Sequence, residues 1–521
     1  MQENNFNYSQ EIEKHLTTIA KQSGIVFTGT FFGHILGLVS NFVLARLYGP
    51  KILGQFALVL ATVNIISIFT IFGFNNGLVK YISRYRVTKQ TKRLNEIIKI
   101  AFIYGALFSL IGAILLFLLK DIVANNVFKD SGLVNCLVYG SWLIIPFTLI
   151  KILNGLYRGF KQLQYPVISN EIISRIIFSI IIIVFALLNF KNTPIVIASS
   201  LFAQIFVVFY LIGKVYTLKI DFKNILLGQI DNNLREKKIK KEFLIYSSTL
   251  IFISFMNIIL TKIDKIMLGI YMTSEVVGIY NIAATVAGLI TFLLVSSNMI
   301  FSSVISELYS VNKIKMLGNL YSTITKWIII LTLPVVISMI FFSDTILRFF
   351  GEAYIIGSSA LIILALGQMI NAFVGANGSI LSMCGHERLL LINNISMAIM
   401  NIIFNAILIP KFGILGAAIA TGFSIATINI VKIFQVKYLL NIIPYNKEYL
   451  SILFNLPVVF LSSFLVKMYW DNIWSVFGIT AVNIGISIFV SYQFKTKLDE
   501  SIFEKFKSKI KELLIRSCQN D

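Results

Sequence analysis

Long apolar segments separated by short polar loops are the feature that most limits what this chain can fold into. An α-helix needs about 20 apolar residues to cross the hydrocarbon core of a bilayer, and fourteen segments approach that length. They span residues 24–46, 52–74, 97–119, 133–157, 171–188, 194–216, 244–264, 278–304, 324–343, 357–378, 388–409, 414–436, 449–468 and 474–494. Charged residues make up only 13% of the chain, about half the share found in soluble domains. The pattern predicts an all-α integral membrane protein with 14 transmembrane helices.

Lysine and arginine residues lie mainly on one side of the predicted membrane. When the loops are assigned alternately to the two sides, the side with both termini has 28 of these residues and the other side has 7. Because cytoplasmic loops carry such an excess, we expect a multi-pass protein of the cytoplasmic membrane with N- and C-termini in the cytoplasm. The net charge of +21 therefore reflects topology and does not indicate binding to nucleic acid.

The polar segments complete the predicted domain organisation. Residues 1–23 form a cytoplasmic N-terminal segment, and the next apolar segment is long enough to remain as a helix rather than be cleaved as a signal peptide. Residues 217–243 form a basic cytoplasmic linker, and residues 495–521 form a basic cytoplasmic tail. Apolar side chains at helical spacing predict an amphipathic surface helix in this tail; an ordinary solvated tail is the alternative.

The chain also resembles itself at an offset of about 225 residues. Gly54, at the start of the second apolar segment, corresponds to Gly278 at the start of the eighth, and Gly159 corresponds to Gly385. Six helices per copy give both copies the same orientation, as in transporters that bind substrate between two halves. The repeat predicts a V-shaped, two-lobed transporter built from two parallel six-helix repeats. The lobes are residues 24–216 and 244–436, and residues 449–494 add two extra C-terminal helices.

Polar side chains share one face on the first and on the seventh predicted helix. The first face carries Thr30, His34, Gly37 and Asn41, and the second carries Ser247, Ser254, Asn257, Thr261 and Asp264. Since the two helices correspond in the repeat, these faces predict a polar cavity between the lobes. Hydrogen bonding between helices without a cavity is the alternative. A second row on the first helix, Gly29, Gly33 and Gly37, has the spacing that permits close helix packing.

Charged residues within or at the ends of the apolar segments are the main candidates for a site, because they are costly in a membrane and usually functional. Arg46 lies near a helix end, so it could instead extend to the lipid headgroups. Arg175 could pair with Glu171, four residues earlier. Lys151 lies one turn beyond Pro146, too deep to reach the headgroups, so we expect it to face a cavity or an acidic partner.

The chemistry of these candidates favours an anionic substrate. Lysine and arginine bind phosphate or pyrophosphate groups, whereas a cavity for cationic drugs would need acids. Asp264 is the one clear acid within the predicted membrane segments. The predicted substrate-binding residues are His34, Asn41, Arg46, Lys151, Arg175, Asn257, Lys262 and Lys265, and the candidate for ion coupling is Asp264.

Several classes of protein are disfavoured by what the sequence lacks. It has no GxxxxGK[ST] motif, so the chain is not an ATPase. No Cys or His spacing predicts a metal site, and no cofactor is expected. A membrane glycosyltransferase or ligase would need a large outer loop for its chemistry, but no predicted outer loop exceeds about 13 residues. We therefore expect a protein that is not an enzyme.

Four segments resemble one family of transporters. They are residues 401–421, which begin Asn-Ile-Ile-Phe-Asn and include Pro410 and Gly413; residues 44–50 with Gly54; residues 264–280; and residues 350–354. Over residues 20–495 the chain resembles the polysaccharide transport branch of the multidrug/oligosaccharidyl-lipid/polysaccharide (MOP) exporter superfamily, the lipid-linked oligosaccharide flippases. The family's cavity cations would map to Arg46, Lys151 and Lys262 or Lys265.

The resemblance implies a function. Such proteins translocate a polyprenyl-(pyro)phosphate-linked oligosaccharide across the cytoplasmic membrane by alternating access, for the assembly of cell-surface polysaccharide or glycans. The expected partners are this lipid-linked oligosaccharide, membrane lipids and polysaccharide assembly proteins, with the chain working as a monomer. Relatives of the lipid II flippase type carry arginines on helix 1 where this chain has His34 and Ser40, which argues against a peptidoglycan precursor. An ion-coupled multidrug exporter of the same superfamily is the alternative.

Overall fold

A computed structural model describes residues 2–218, 220, 225, 234–445 and 449–493 of this protein, and these residues are largely helical. The main α-helices are α1 (Gln2–Ile71), α2 (Phe74–Val87), α3 (Thr91–Asp121), α4 (Leu133–Gly159), α5 (Gln164–Val167), α6 (Ser174–Leu187), α7 (Thr193–Lys214), α8 (Leu234–Tyr271), α9 (Ser274–Ala287), α10 (Ile290–Ser310), α11 (Ile314–Phe341), α12 (Ser343–Phe350), α13 (Ser358–Val374), α14 (Asn377–Met383), α15 (Glu387–Phe412), α16 (Ile414–Leu440), α17 (Leu450–Tyr469) and α18 (Ile473–Gln493). The predicted tail, 495–521, and part of the predicted linker, 217–243, lie outside the described residues.

The helices establish a multi-span membrane protein. Within the described ranges, ten helical segments are long and apolar enough to cross a membrane, or twelve if two bent pairs each form one span. The first segment, Val26–Val87, has 62 residues, which is far more than one crossing requires. A shorter apolar helix covers Phe454–Tyr469. Each of the fourteen predicted segments falls on helix, while the count of fourteen and the repeat arrangement remain predictions.

Local sequence explains where the long helices bend or end. Gly49 has φ 80° and ψ 175°, which interrupts α1, and the proline that follows it cannot donate a backbone hydrogen bond. This break separates the first two predicted segments. Between α15 and α16 a single residue, Gly413, has φ 57°, a conformation that suits glycine. The side chain of Asn192 caps α7 by accepting a hydrogen bond from the backbone N–H of Ile195 at 3.2 Å.

The chain divides into two compact units by packing, and the first comprises residues 1–282 and 401–417. In this unit α4 packs against α1, α2, α3 and α7. Leu153 and Tyr157 of α4 are fully buried together with Phe74 of α2. The Tyr157 hydroxyl donates to the backbone oxygen of Leu211 at 2.6 Å, which joins α4 to α7. α4 is therefore the central helix of the first unit.

The second unit comprises residues 283–400 and 418–521, and α11 has the corresponding central position within it. α11 packs against α10, α13, α17 and α18. The Tyr321 hydroxyl donates to the backbone oxygen of Val374 at 2.6 Å, and Thr480 bonds Ser338 at 2.7 Å. The predicted lobe boundaries, 24–216 and 244–436, remain predictions.

Candidate functional site

The first unit encloses a polar cavity of about 260 Å³ among its apolar helices. It lies between α1, α2, α4 and the segment that leads into α6. The polar side chains that line the cavity include Thr30, Asn75, Lys151, Asn154, Arg158 and Glu171. A polar cavity in a membrane-spanning bundle is unusual because buried polar groups are costly there, which makes this the principal candidate site.

The helix α4 supplies the positive charge. Lys151, Asn154 and Arg158 are spaced by three and four residues, so they lie on one face of the helix. Lys151 is half-buried, and its Nζ lies 5.4 Å from the centre of the Phe147 ring. Lys151 lines the cavity, and its role in binding substrate remains a prediction. Arg158 also lines the cavity. It was not among the predicted site residues, because it follows the end of the predicted segment 133–157.

A π-helical turn at Ile168–Ile173 carries the acid of the cavity. Such turns insert one extra residue into an α-helix and often occur at functional sites. Glu171 lies in this turn and accepts a hydrogen bond from Arg175 Nη2 at 2.7 Å. The predicted pair is therefore present. The structure also corrects one expectation: Glu171 belongs to the span Gln164–Leu187, so Asp264 is not the only acid in the membrane segments.

Two amide oxygens in the cavity wall lack partners. Among the described residues, the Oδ1 atoms of Asn75 and Asn154 are buried and accept no hydrogen bond. Buried polar atoms are normally satisfied, but these oxygens expose essentially no surface, so a ligand or water could reach them only after the amide rotates. The close approach of α2 and α4 depends on Gly155, because a Cβ at this position would lie 2.3 Å from the backbone oxygen of Asn75.

The glycine row of α1 packs against the acidic side of the cavity. A Cβ at Gly29 would lie 2.1 Å from Val167 Cγ1, and one at Gly33 would lie 2.4 Å from Glu171 Oε2. The predicted close packing of this row is confirmed, and its partner is the segment that carries the Glu171–Arg175 pair.

A second polar cluster in the first unit surrounds Asp264. The carboxylate accepts hydrogen bonds from the Tyr280 hydroxyl at 3.0 Å and from Asn405 Nδ2 at 2.9 Å. Asn405 also donates to the side chain of Asn401 at 3.0 Å, and Lys265 donates to the side chain of Asn281. Asp264 and Lys265 were predicted as site residues from the sequence. Asn401 and Asn405 were not, although they share one helical face in an apolar segment.

The other predicted residues are not part of the cavity wall. His34 and Arg46 are exposed and Lys262 is half-buried. Asn41 donates to the backbone oxygen of Gly37 at 2.9 Å, an intrahelical bond. The side chain of Asn257 lies outside what the structure describes. Their roles in binding substrate remain predictions.

A third set of contacts joins the turn before α4 to the start of α9. Asp130 accepts hydrogen bonds from Ser274 Oγ at 2.5 Å, Gln55 Nε2 at 3.0 Å and the backbone N–H of Gly132 at 3.0 Å. Burial raises the pKa of Asp130, but these hydrogen bonds and the charge of Lys51 outweigh it, so the net pKa is lowered. This cluster therefore favours an ionised carboxylate.

Comparison with known proteins places the chain in a family. A family model described as "Polysaccharide biosynthesis protein" matches residues 19–306, more than half of the chain, and the MatE model matches residues 249–407. An uncharacterized membrane protein of Methanocaldococcus jannaschii is 25% identical over 476 residues, covering 84% of this chain and 90% of the relative. A probable low-salt glycan biosynthesis flippase, Agl15 of Haloferax volcanii, is 28% identical over 234 residues, covering 44% of this chain and 48% of the relative.

A solved structure gives the fold. The lipid II flippase MurJ in an inward closed conformation has a TM-score of 0.69 and 20% identity, covering 92% of this chain and 99% of that one. The resemblance found in the sequence is thus confirmed. The chain belongs to the polysaccharide biosynthesis protein family of the MOP superfamily.

Proposed function

We propose that this protein is a flippase that moves a polyprenyl-(pyro)phosphate-linked oligosaccharide across the cytoplasmic membrane by alternating access. The observation that carries the proposal is the cavity in which Lys151 and Arg158 line one wall. Cations in a membrane bundle are costly unless they bind something, and phosphate is the group that Lys and Arg bind most effectively. The proposed role is transport rather than catalysis.

The rest of the cavity matches the sugar part of such a substrate. The side chains of Asn75 and Asn154 line the cavity, and rotation of either amide would turn its unpartnered oxygen towards sugar hydroxyls. A buried acceptor without a partner costs about 1–3 kcal/mol, so a hydroxyl that satisfies it is favoured over an apolar group. The flippase names of Agl15 and MurJ agree with this type of substrate.

Asp264 is the proposed site of ion coupling. Its carboxylate is oriented by two hydrogen-bond donors from different helices, Tyr280 and Asn405, and the neighbouring amides of Asn401 and Asn405 add oxygen atoms of the kind that bind small cations. Occupancy of this cluster by a cation or proton would change the contacts between α8, α9 and α15, which could drive the conformational cycle.

An ion-coupled multidrug exporter is the second candidate, because the MatE model matches residues 249–407, which include Asp264. The two functions differ in the charge of their cargo. A cationic drug would be repelled by Lys151 and Arg158, whereas a pyrophosphate would be attracted.

A transport assay with purified, full-length protein in vesicles tests the proposal. The probe is a polyprenyl pyrophosphate that carries a fluorescent sugar, and its arrival in the outer leaflet is followed by quenching with dithionite. We expect wild type to expose the probe and Lys151→Ala to abolish this at unchanged protein level. Lys92→Ala, which removes an exposed lysine in α3, is the matched control. Undiminished flipping by Lys151→Ala, or export of ethidium without flipping, would contradict the proposal.

A further inference from the structure

Glu171 and Arg175 are the only charged residues in the span Gln164–Leu187. An acid placed beside the cations of an anion-binding cavity weakens that cavity, because it repels the cargo. It also adds to the cost of placing charge in a membrane. Glu171 thus disfavours both anion binding and membrane insertion, and the proposed function does not by itself explain why an acid lies at this position.

Glu171 is the member of the pair that lines the cavity, and both side chains are partly exposed. Arg175 Nη2 lies 2.7 Å from Glu171 Oε2, and the side chains are 31% and 30% exposed, respectively. Lys151 lines the same cavity. An ion pair with this exposure can be opened by a competing anion, unlike a pair that is sealed in a protein core.

The opposite side of the pair is closed by α1. A Cβ at Gly33 would lie 2.4 Å from Glu171 Oε2, and one at Gly37 would lie 1.8 Å from Arg175 Nη1. Backbone thus packs directly against both charged groups. α1 therefore covers the pair on this side, while Glu171 lines the cavity in which a phosphate would be located.

We propose that Glu171 is an internal competitor for the substrate phosphate and sets how tightly the cavity holds its cargo. When the cavity is empty, the carboxylate neutralises Arg175. When a phosphate enters, it competes with Glu171 for that guanidinium, and the returning carboxylate assists release. Transport requires that the substrate be bound weakly enough to be released. Glu171 therefore lowers the affinity of the cavity for phosphate and allows faster release. This inference rests on the proposed function.

Binding of inorganic pyrophosphate and of farnesyl pyrophosphate to the full chain in nanodiscs, measured by calorimetry, tests the inference. Removing one negative charge near the bound anion is expected to tighten binding by about tenfold, so Glu171→Gln should bind both probes more tightly than wild type and flip the fluorescent lipid more slowly. Glu352→Gln is the matched control, because Glu352 forms an i,i+4 pair with Arg348 at 3.5 Å and is 79% exposed. It should bind as wild type does.

A second comparison applies if Glu171→Gln does not fold. Glu171→Asp keeps the negative charge but shortens the side chain by one methylene, so it weakens the bond to Arg175 that a phosphate must displace. We expect Glu171→Asp to bind pyrophosphate more tightly than wild type, although the net charge of the site is unchanged. Unchanged or weaker binding by this variant would overturn the inference.

The outcomes separate the inference from the proposed function. If Lys151→Gln abolishes pyrophosphate binding while Glu171→Gln binds no more tightly than wild type, Glu171 is not a competitor and the flippase proposal stands. If wild type binds neither probe and Lys151→Gln changes nothing, the proposed function fails. Tighter binding by Glu171→Gln together with slower flipping supports both.

Discussion

The close approach of α1 to α9 at Gly54 leaves no space for a side chain. A Cβ built at Gly54 in α1 would lie 1.6 Å from the backbone oxygen of Ser274 and 2.8 Å from the backbone nitrogen of Gly278. The contact is reciprocal, since a Cβ at Gly278 would lie 2.0 Å from the backbone oxygen of Pro50. These are backbone atoms, which cannot rotate away as the end of a side chain can. We therefore expect Gly54→Ala to destabilise the protein.

The size of the effect follows from the distances. Real Cβ atoms essentially never come within 3.0 Å of such a neighbour, so the backbones must separate by about 1.4 Å, the difference between 3.0 and 1.6 Å. Overpacking of this kind costs about 1–3 kcal/mol or more. Alanine recovers up to about 1 kcal/mol through its higher helix propensity. The net loss should be about 1–2 kcal/mol, which for a chain of 521 residues lowers the apparent Tm by about 1–2 °C.

A matched glycine provides the control. A Cβ at Gly213 in α7 would have nothing within 4 Å, so Gly213→Ala gains helix propensity without a clash. Unfolding of both variants is followed by tryptophan fluorescence in the same nanodiscs. We expect Gly213→Ala to unfold at or above the wild-type temperature and Gly54→Ala to unfold below it. If Gly54→Ala were as stable as Gly213→Ala, the backbones could not be packed as described.

Three further changes test the other clusters. Because the pKa of Asp130 is lowered in the folded protein, this carboxylate stabilises the fold at pH values above its ordinary pKa of about 3.9, and the stabilisation is lost as the pH falls through the lower folded-state pKa. The thermal unfolding temperature of Asp130→Asn should therefore depend less on pH below about 4 than that of wild type. Equal pH dependence in the two proteins would show that this carboxylate does not contribute. Arg46→Ala should abolish flipping while leaving the protein level intact, and normal flipping would remove Arg46 from the substrate-binding set. Asp264→Asn should impair folding or remove the dependence of transport on Na⁺ or H⁺ gradients, and a fully active variant would make Asp264 a bystander.

Hydropathy located the helices but shortened those that carry polar residues. The fifth predicted segment begins at Glu171, whereas the helical span begins at Gln164. The helical residues in between include Pro166, Val167 and Asn170, which line the cavity. Prediction from apolar runs places the end of a span too early where the helix carries polar residues that line a cavity. Site residues at span ends, including Arg158, were missed for this physical reason.

Long-range pairing was a second limit of the sequence. Asp264 was predicted as an intramembrane acid, but its partner Asn405 is 141 residues away in the chain. No spacing rule connects residues on different helices. The ninth predicted segment, 324–343, contains Lys326, which is only 1% exposed and was not among the predicted site residues. A charge within a predicted apolar segment is visible in sequence, so this residue could have been included.

The sign of the cavity charge is the strongest physical discriminator between the two functions of this superfamily. With Glu171 paired to Arg175, Lys151 and Arg158 are the charged groups left on the described cavity wall. One charge about 5 Å from another contributes about 1 kcal/mol where water screens the pair and about 3 kcal/mol where it does not, a factor of about five to two hundred in affinity. Each cation thus favours an anionic over a cationic cargo by repelling one and attracting the other. Under the proposed function, the side chains on one face of α4 would therefore select an anionic lipid-linked glycan over a cationic drug.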